Sequence, residues 1–289
     1  MPAEVLVIGA GPAGIACAYF LQKAGIRYRV VDQAQVIAST WADQYPSLRL
    51  NTSRFFSHMP GQRFPLRCGI FPSARQYHAY LEDFVVRQHL NIHLGVQIDR
   101  VTPDGEGWRV DSREGAACYP AVVLATGRFP KPYRAKLNGL SRFTGTVIHS
   151  QEFKDPAAFT GQRVMIVGNG PSGVDLAVAL PQTAQLPVYL AQRTGIILRP
   201  RYPYGLPKHA WTLLAEWLPG HLTRWLERRA LAAQFRHVER SGLQVPASGQ
   251  ESGAAATRGP ELMEAAQAGQ VRSARLYPFG GRKRAGNVS

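Results

Sequence analysis

Cysteine is scarce in this chain: Cys17, Cys68 and Cys118 are the only three among 289 residues. They are too few and too scattered for a disulfide framework, a CxxC redox pair or a zinc cluster. That scarcity suits a reducing compartment, and a cytoplasmic location is expected. Long apolar runs are missing too. Stretches such as Val5-Leu-Val-Ile8 and Val122-Val-Leu-Ala125 fall far short of the roughly 20 residues of a membrane span, so none is expected. The N-terminus enters a strand-like run with no basic segment or cleavage site, which argues against a signal peptide. His58, His78, His89 and His93 show no metal-ligand spacing.

Acidic residues are also few: 19 Asp and Glu face 34 Lys and Arg, for a net charge of +15. Such an excess raises the possibility of a nucleic-acid partner. Before and including Gln192 there are 19 basic and 13 acidic residues, and after it 15 and 6. The later excess consists mainly of single spaced arginines, with one dense run at Arg282-Lys283-Arg284. No nucleic-acid motif accompanies it. A solvated arginine-rich surface is the plainer reading, and no nucleic-acid partner is expected.

What is present is a chain of 45% hydrophobic and 18% charged residues, able to bury a core and long enough for two domains. Glu4 to Ile8 reads as a β-branched strand, Gly9-Ala-Gly-Pro-Ala-Gly14 as a turn, and Ala13 to Ala24 as a helix. Arg27 to Asp32 is the next strand, completing a βαβ unit. Residues 33 to 75 read as extended loops rich in aromatics, and Ser73 to Gln88 as an amphipathic helix. Short strands follow from Asn91 to Ala125, with Asp104-Gly105 and Glu114-Gly115 as turns of an antiparallel meander. After Gly161 the opening pattern recurs: a strand from Arg163 to Val167, the turn Gly168-Asn-Gly-Pro-Ser-Gly173, a helix, and a strand from Pro187 to Ala191. Trp211 to Arg240 reads as two helices broken at Pro219-Gly220, and residues 246 to 260 as a mobile loop.

One GxGxxG is weak evidence; two, each between a strand and a helix, are much stronger. The first glycine makes a tight turn, the second admits a pyrophosphate, and the third lets helix pack on strand, aiming helix N–H groups at the anion. Gly9, Gly11 and Gly14 fill these roles, with Pro12 opening the helix, and so do Gly168, Gly170 and Gly173. The first copy leads to Asp32, 18 residues beyond Gly14, where a carboxylate accepts from adenosine ribose hydroxyls. The second leads to Ala191-Gln192-Arg193, and an arginine 20 residues beyond Gly173 suits a 2′-phosphate. Alternatively, Asp32 and Arg193 are ordinary strand-end surface residues. An arginine at the second strand end favours NADP over NAD, and two nucleotide sites of different preference suggest a flavin reduced by a nicotinamide.

With these motifs in order, the chain resembles the class B flavin-dependent monooxygenases, and among them the YUCCA-type and related bacterial oxidoreductases. Further motifs carrying the resemblance are Ser39-Thr-Trp41, Tyr45-Pro-Ser-Leu-Arg-Leu-Asn-Thr52, Met59-Pro60, Ala125-Thr126-Gly127 and Phe143-x-Gly145-x-x-x-His149. The likeness is strong over residues 1 to 200 and loose to 276. It implies an α/β fold of two Rossmann-type dinucleotide-binding domains, with the meander in the first. Residues 1–155 would bind FAD. Residues 156–276 would bind NADPH and carry a helical insertion at about 208–240, leaving 277–289 as an irregular basic tail. By the same resemblance, Trp41 and the Leu50-Asn51 backbone would line the flavin, and Ile98 would touch the adenine through its main chain. Thr126 and Gly127 would close over the FAD pyrophosphate. Asn51 would stand beside the flavin's reactive edge as the catalytic residue, and Ser172 and Arg193 would help grip NADPH. His149 would serve as a hinge, or simply as a satisfied structural histidine. Two departures stand out: Phe153 where Tyr or Trp is usual, and Ser39 where many relatives have Gly, although the YUCCA type carries Ser there.

The implied activity is insertion of one atom of dioxygen into a small organic substrate through a C4a-(hydro)peroxyflavin. Alternatives are an NADPH oxidase or flavin reductase, a quinone or disulfide reductase, and a non-enzymatic nucleotide- or nucleic-acid-binding module. The family architecture also calls for a final return strand of the FAD domain. Leu262 to Arg275 resembles its lead-in, but Tyr277 to Ser289 has neither strand pattern nor turn, so a C-terminally truncated member is expected. Substrate and oligomeric state are not legible.

Overall fold

The computed structural model describes residues 4–127, 132–135, 137, 139–193, 195–197, 202, 210, 211, 213, 216–246 and 258–275. It divides into two compact units, Met1–Tyr133 and Arg134–Ser289.

In unit 1, apolar β-branched residues build β1 (Val5–Ile8) and β2 (Tyr28–Asp32), which pair in parallel with Val7 opposite Val30. Parallel neighbours need a crossover. Helix α1 (Pro12–Lys23) supplies it, with Pro12 in its first turn, Lys23 at its carbonyl end, and Gly14, Ile15 and Ala18 buried. A second crossover is α2 (Ala74–Arg87). Ser73 caps it reciprocally: its Oγ accepts from the Gln76 N–H at 3.2 Å, and the Gln76 side chain accepts from the Ser73 N–H at 2.9 Å. Tyr77, Tyr80, Leu81, Phe84 and Val85 form its buried face.

This helix leads to β3 (Ile92–Leu94), which pairs in parallel with β2. The antiparallel meander is therefore β4 (Ile98–Asp104), β5 (Gly107–Ser112) and β6 (Gly115–Tyr119). Strand β7 (Ala121–Leu124) rejoins the first sheet beside β1, giving the order β3-β2-β1-β7. The first and last of the short strands read between Asn91 and Ala125 thus belong to the parallel sheet. The meander acts as the crossover between β3 and β7. Turn chemistry falls where expected, with Gly105 and Gly115 at φ +59° and +120°.

Unit 2 repeats the plan. Strand β8 (Arg163–Val167), helix α3 (Pro171–Ala179) and β9 (Gln185–Gln192) form the second βαβ unit. Helix α4 (Gly220–Arg240) begins at the predicted Pro219-Gly220 break. Helix α5 (Gly259–Gln267) then leads to β10 (Val271–Arg275), parallel to β9, in the order β10-β9-β8. This last pair occupies the place of α2 and β3, so the repeat extends further than the sequence reading took it. Val174, Leu180, Val188, Leu190 and Leu262 form the buried interior. Residues 247–257 of the expected loop, and the basic tail 277–289, lie outside the described residues. Among the described residues no helix is long and apolar enough to cross a membrane, and no cluster of three or more His, Cys, Asp or Glu is placed to hold a metal.

Candidate nucleotide sites

The two glycine turns share one backbone. Gly9 and Gly168 lie at φ +112° and +111°, a region open to glycine and costly for other residues. Gly11 and Gly170 cap their helices at φ −80° and −69° with extended ψ. A Cβ on Gly14 would overlap the Gly9 carbonyl oxygen, and one on Gly173 the Gly168 carbonyl oxygen. A Cβ on Gly11 or Gly170 would instead meet nothing within 4 Å. Space is therefore open where a phosphate approaches the helix, and closed where helix must touch turn. First-turn N–H groups of α1 and α3 have no intrahelical acceptor, leaving both helix starts suited to an anion.

The register beyond each turn is also shared. The Gly9 N–H donates to Val31 O at 2.7 Å, and the Gly168 N–H to Ala191 O at 2.8 Å. Hence the counterpart of Asp32 is Gln192, and Arg193 lies one residue further on. In unit 1 the Asp32 carboxylate clamps the turn, accepting from the Ala10 N–H at 2.7 Å and the Ala34 N–H at 2.9 Å. A carboxylate has about four lone-pair positions, so acceptor capacity remains for ribose hydroxyls. In unit 2, Gln192 is fully buried and its amide donates to Ser273 Oγ on β10 at 2.6 Å. Arg193 is exposed. By spacing alone Ala191-Gln192-Arg193 is one strand end; the backbone register separates the roles of Gln192 and Arg193.

The remaining predicted site residues of unit 1 fall into three groups. The Ala125 carbonyl, just ahead of Thr126 and Gly127, is packed so closely on Gly9 that a Cβ there would overlap it, so this turn is brought to the first cradle. Gly127 has φ +83°. Trp41 lies in the short helix Ser39–Ala42, whose N-cap Ala38 adopts a left-handed conformation (φ 50°) and donates its N–H to Ala10 O at 3.0 Å. That bond anchors the aromatic segment to the glycine turn, a link with no sequence signal beyond proximity. Trp41 packs edge-on against Tyr77, ring centroids 4.8 Å apart, and Phe64 stacks on Tyr80 at 3.9 Å. Burial, with help from Tyr80, pushes the Tyr77 hydroxyl up to about 12. Leu50 is buried and its N–H donates to Pro72 O at 2.8 Å, and Asn51 follows, half-buried. Beside them, Ser53 Oγ is buried with no partner among the described residues. Ile98 opens β4 and packs on the cluster that holds Ile8 and Val31, the residues just before Gly9 and Asp32.

In unit 2, Ser172 lies in the first turn of α3 next to Gly173. His149 sits in a local turn: its ring Nδ1 accepts from the Gln151 N–H at 3.2 Å, and its own N–H donates to Glu152 Oε1 at 3.0 Å. That bond and Arg134 hold the Glu152 carboxyl below its ordinary range. Phe153 is buried and stacks on Phe159 at 5.6 Å.

Two strand–glycine turn–helix units thus recur in one chain, and the sequence pattern of the pyridine nucleotide-disulphide oxidoreductases matches residues 6–199. The chain belongs to that family. Within it, the chain is a distant relative of the flavin-containing and YUCCA-type monooxygenases. It is 29% identical over 219 residues to the probable indole-3-pyruvate monooxygenase YUCCA4 of Arabidopsis thaliana, covering 74% of this chain and 53% of that protein. An uncharacterized CzcO-like oxidoreductase of Geobacillus kaustophilus is 32% identical over 188 residues, covering 65% of this chain and 53% of that protein. Among solved structures, a doubly substituted flavin monooxygenase from Stenotrophomonas maltophilia superposes with a TM-score of 0.68 at 25% identity. It covers 95% of this chain and 70% of that one. The chain thus spans about half the length of the curated relatives it matches.

Proposed function

We propose that this chain carries the FAD and NADPH sites of a monooxygenase that places one atom of dioxygen on a small organic substrate. The observation behind this reading is the pair of turns with one backbone and two different strand ends. Gly9, Gly11, Gly14 and Asp32 fit the adenosine and pyrophosphate of FAD, because the space above Gly11 is open and Asp32 retains acceptor capacity. Gly168, Gly170, Ser172, Gly173 and Arg193 fit NADPH, because no carboxylate stands at the strand end to repel a 2′-phosphate. When bound, NADPH supplies a hydride to FAD, and the reduced flavin supplies electrons to dioxygen.

The chain's own part is to bind and orient. Pro12 presets the first turn of α1, and Thr126 and Gly127 close the first cradle. Trp41 and Leu50 provide apolar lining that excludes water, Ile98 offers its main chain to the adenine, and Asn51 offers an amide at the flavin's reactive edge. A reductase passing electrons to a disulfide through a protein dithiol is disfavoured, because Cys17, Cys68 and Cys118 are separate free thiols. The test is to supply FAD, NADPH, labelled dioxygen and a panel of thioethers and ketones. Labelled oxygen in product, in step with NADPH consumed, is the expected result. NADPH oxidation that yields only hydrogen peroxide or reduced quinone would replace the monooxygenase reading with an oxidase or reductase.

A further inference from the structure

The two units solve one mechanical problem in opposite ways. A glycine turn aimed at a ligand must be tied to the loop after the neighbouring strand, or the strand-end side chain that reads the ribose is not held in place. Unit 1 makes this tie with a charge: the Asp32 carboxylate accepts from Ala10, the residue between the first two glycines, and from Ala34 in the next loop. Unit 2 has Asn169 at the place of Ala10 and Gln192 at the place of Asp32. There the tie runs the other way. The Asn169 amide, Nδ2, donates to the Gly195 carbonyl at 2.9 Å. Gly195 is pressed against the Val245–Pro246 backbone so closely that a Cβ would overlap it, and the next residue, Ile196, is buried with its N–H donating to Gln244 O at 2.8 Å. Gly195, two residues beyond Arg193, is thus held from two sides. Gln192, meanwhile, is withdrawn toward β10 by its bond to Ser273.

We infer that Asn169 supplies an uncharged clamp in place of the carboxylate clamp of unit 1, with Gln192 leaving the strand end without a charge, and that Asn169 is the positioning residue through which unit 2 selects a nucleotide bearing a 2′-phosphate. The inference rests on the NADPH reading of that unit. A carboxylate at the place of Gln192 could hold the turn as Asp32 does in unit 1, but it would oppose a phosphate dianion at close range. An amide holds it without that repulsion, and leaves Arg193 as the charged group at the strand end. Asn169 acts through Arg193, with no requirement to touch the ligand itself.

The test uses the full chain saturated with FAD, so that the first cradle is already filled, and two probes lacking both nicotinamide and flavin: 2′,5′-ADP and 5′-ADP, titrated by calorimetry. The unsubstituted chain is expected to prefer 2′,5′-ADP, and R193A to lose that preference. N169A removes the clamp bond, and N169D sets an acceptor against the Gly195 carbonyl. Both are expected to weaken 2′,5′-ADP by about tenfold, the worth of one well-placed hydrogen bond. Binding of 5′-ADP, which does not engage Arg193, should change less than twofold. If the unsubstituted chain binds both probes equally, the NADPH reading fails and the inference with it. If that preference is present and depends on Arg193 but survives in N169A and N169D, the inference alone is overturned. Equal loss of both probes in the two variants also overturns it, since the amide would then only support the fold.

Discussion

Gly11→Ala and Gly14→Ala differ by three residues in one turn, yet should fail in different ways. At Gly11 the backbone lies at φ −80° and an added Cβ meets nothing within 4 Å. Alanine is admissible there, and at an N-cap the exchange costs no more than about 1 kcal/mol. The methyl group would fill the space through which a pyrophosphate reaches the helix N–H groups. At Gly14 the Cβ falls on the Gly9 carbonyl oxygen, backbone against backbone, with no rotamer to relieve it. Helix and turn must separate by about an ångström, at an overpacking cost of roughly 3 kcal/mol. The better helix propensity of alanine offsets about 1 kcal/mol of this. A net loss near 2 kcal/mol lowers the melting temperature of unit 1 by about 10 °C. If the first cradle holds FAD as proposed, each substitution would remove two or so charge-assisted bonds to phosphate, and FAD affinity should fall by about a hundredfold in both. Flavin fluorescence titration and a thermal melt on each variant separate the two effects. G11A that melts with the unsubstituted chain and still takes FAD at full affinity would refute the reasoning, as would G14A with an unchanged melt.

Other substitutions bear on different parts of the structure. G173A should weaken 2′,5′-ADP binding while leaving FAD uptake intact, as seen by parallel titrations, because its clash lies wholly within unit 2. The Tyr80 hydroxyl accepts from the Met59 N–H at 2.7 Å and donates to Gln62 O at 2.5 Å, so Y80F should cost about 2 kcal/mol in urea unfolding by stranding buried groups. Tyr77 keeps its proton more tightly folded than unfolded, so its contribution is complete below pH 10 and is lost as pH rises through about 12. Between those values stability should fall by on the order of 2 kcal/mol, and Y77F should flatten that part of the pH–stability profile. S53A should raise the stability of the ligand-free chain by about 1 kcal/mol in urea unfolding, since its buried Oγ has given up water and finds no hydrogen-bond partner among the described residues.

Much of this was legible because it depends on short-range pattern. The glycine turns announce themselves through residues that must lack a Cβ, and the amphipathic spacing from Ser73 to Gln88 brackets α2 to within one residue at each end. Patterns repeated after Gly161 show that a second unit follows. Four features escaped because they depend on pairing between distant segments. Ile92–Leu94 is too short to reveal which sheet it joins, and only its register with Val30–Asp32 places it beside β2. Leu262 to Arg275 read as a lead-in to a missing element, yet it closes the second sheet as α5 and β10. The place of Gln192 opposite Asp32 is fixed by which carbonyl receives the glycine N–H, and a count of residues beyond Gly173 lands on Arg193 instead. The Asn169 bond to Gly195 spans 26 residues and carries no local signal at all.

The visible absorption spectrum of the FAD-reconstituted chain, recorded before and after anaerobic addition of NADPH, tests two coupled nucleotide sites most directly. A retained flavin band that bleaches with NADPH, and far more slowly with NADH, is the expected result. A chain that takes up no FAD, or whose bound flavin is indifferent to NADPH, would contradict it.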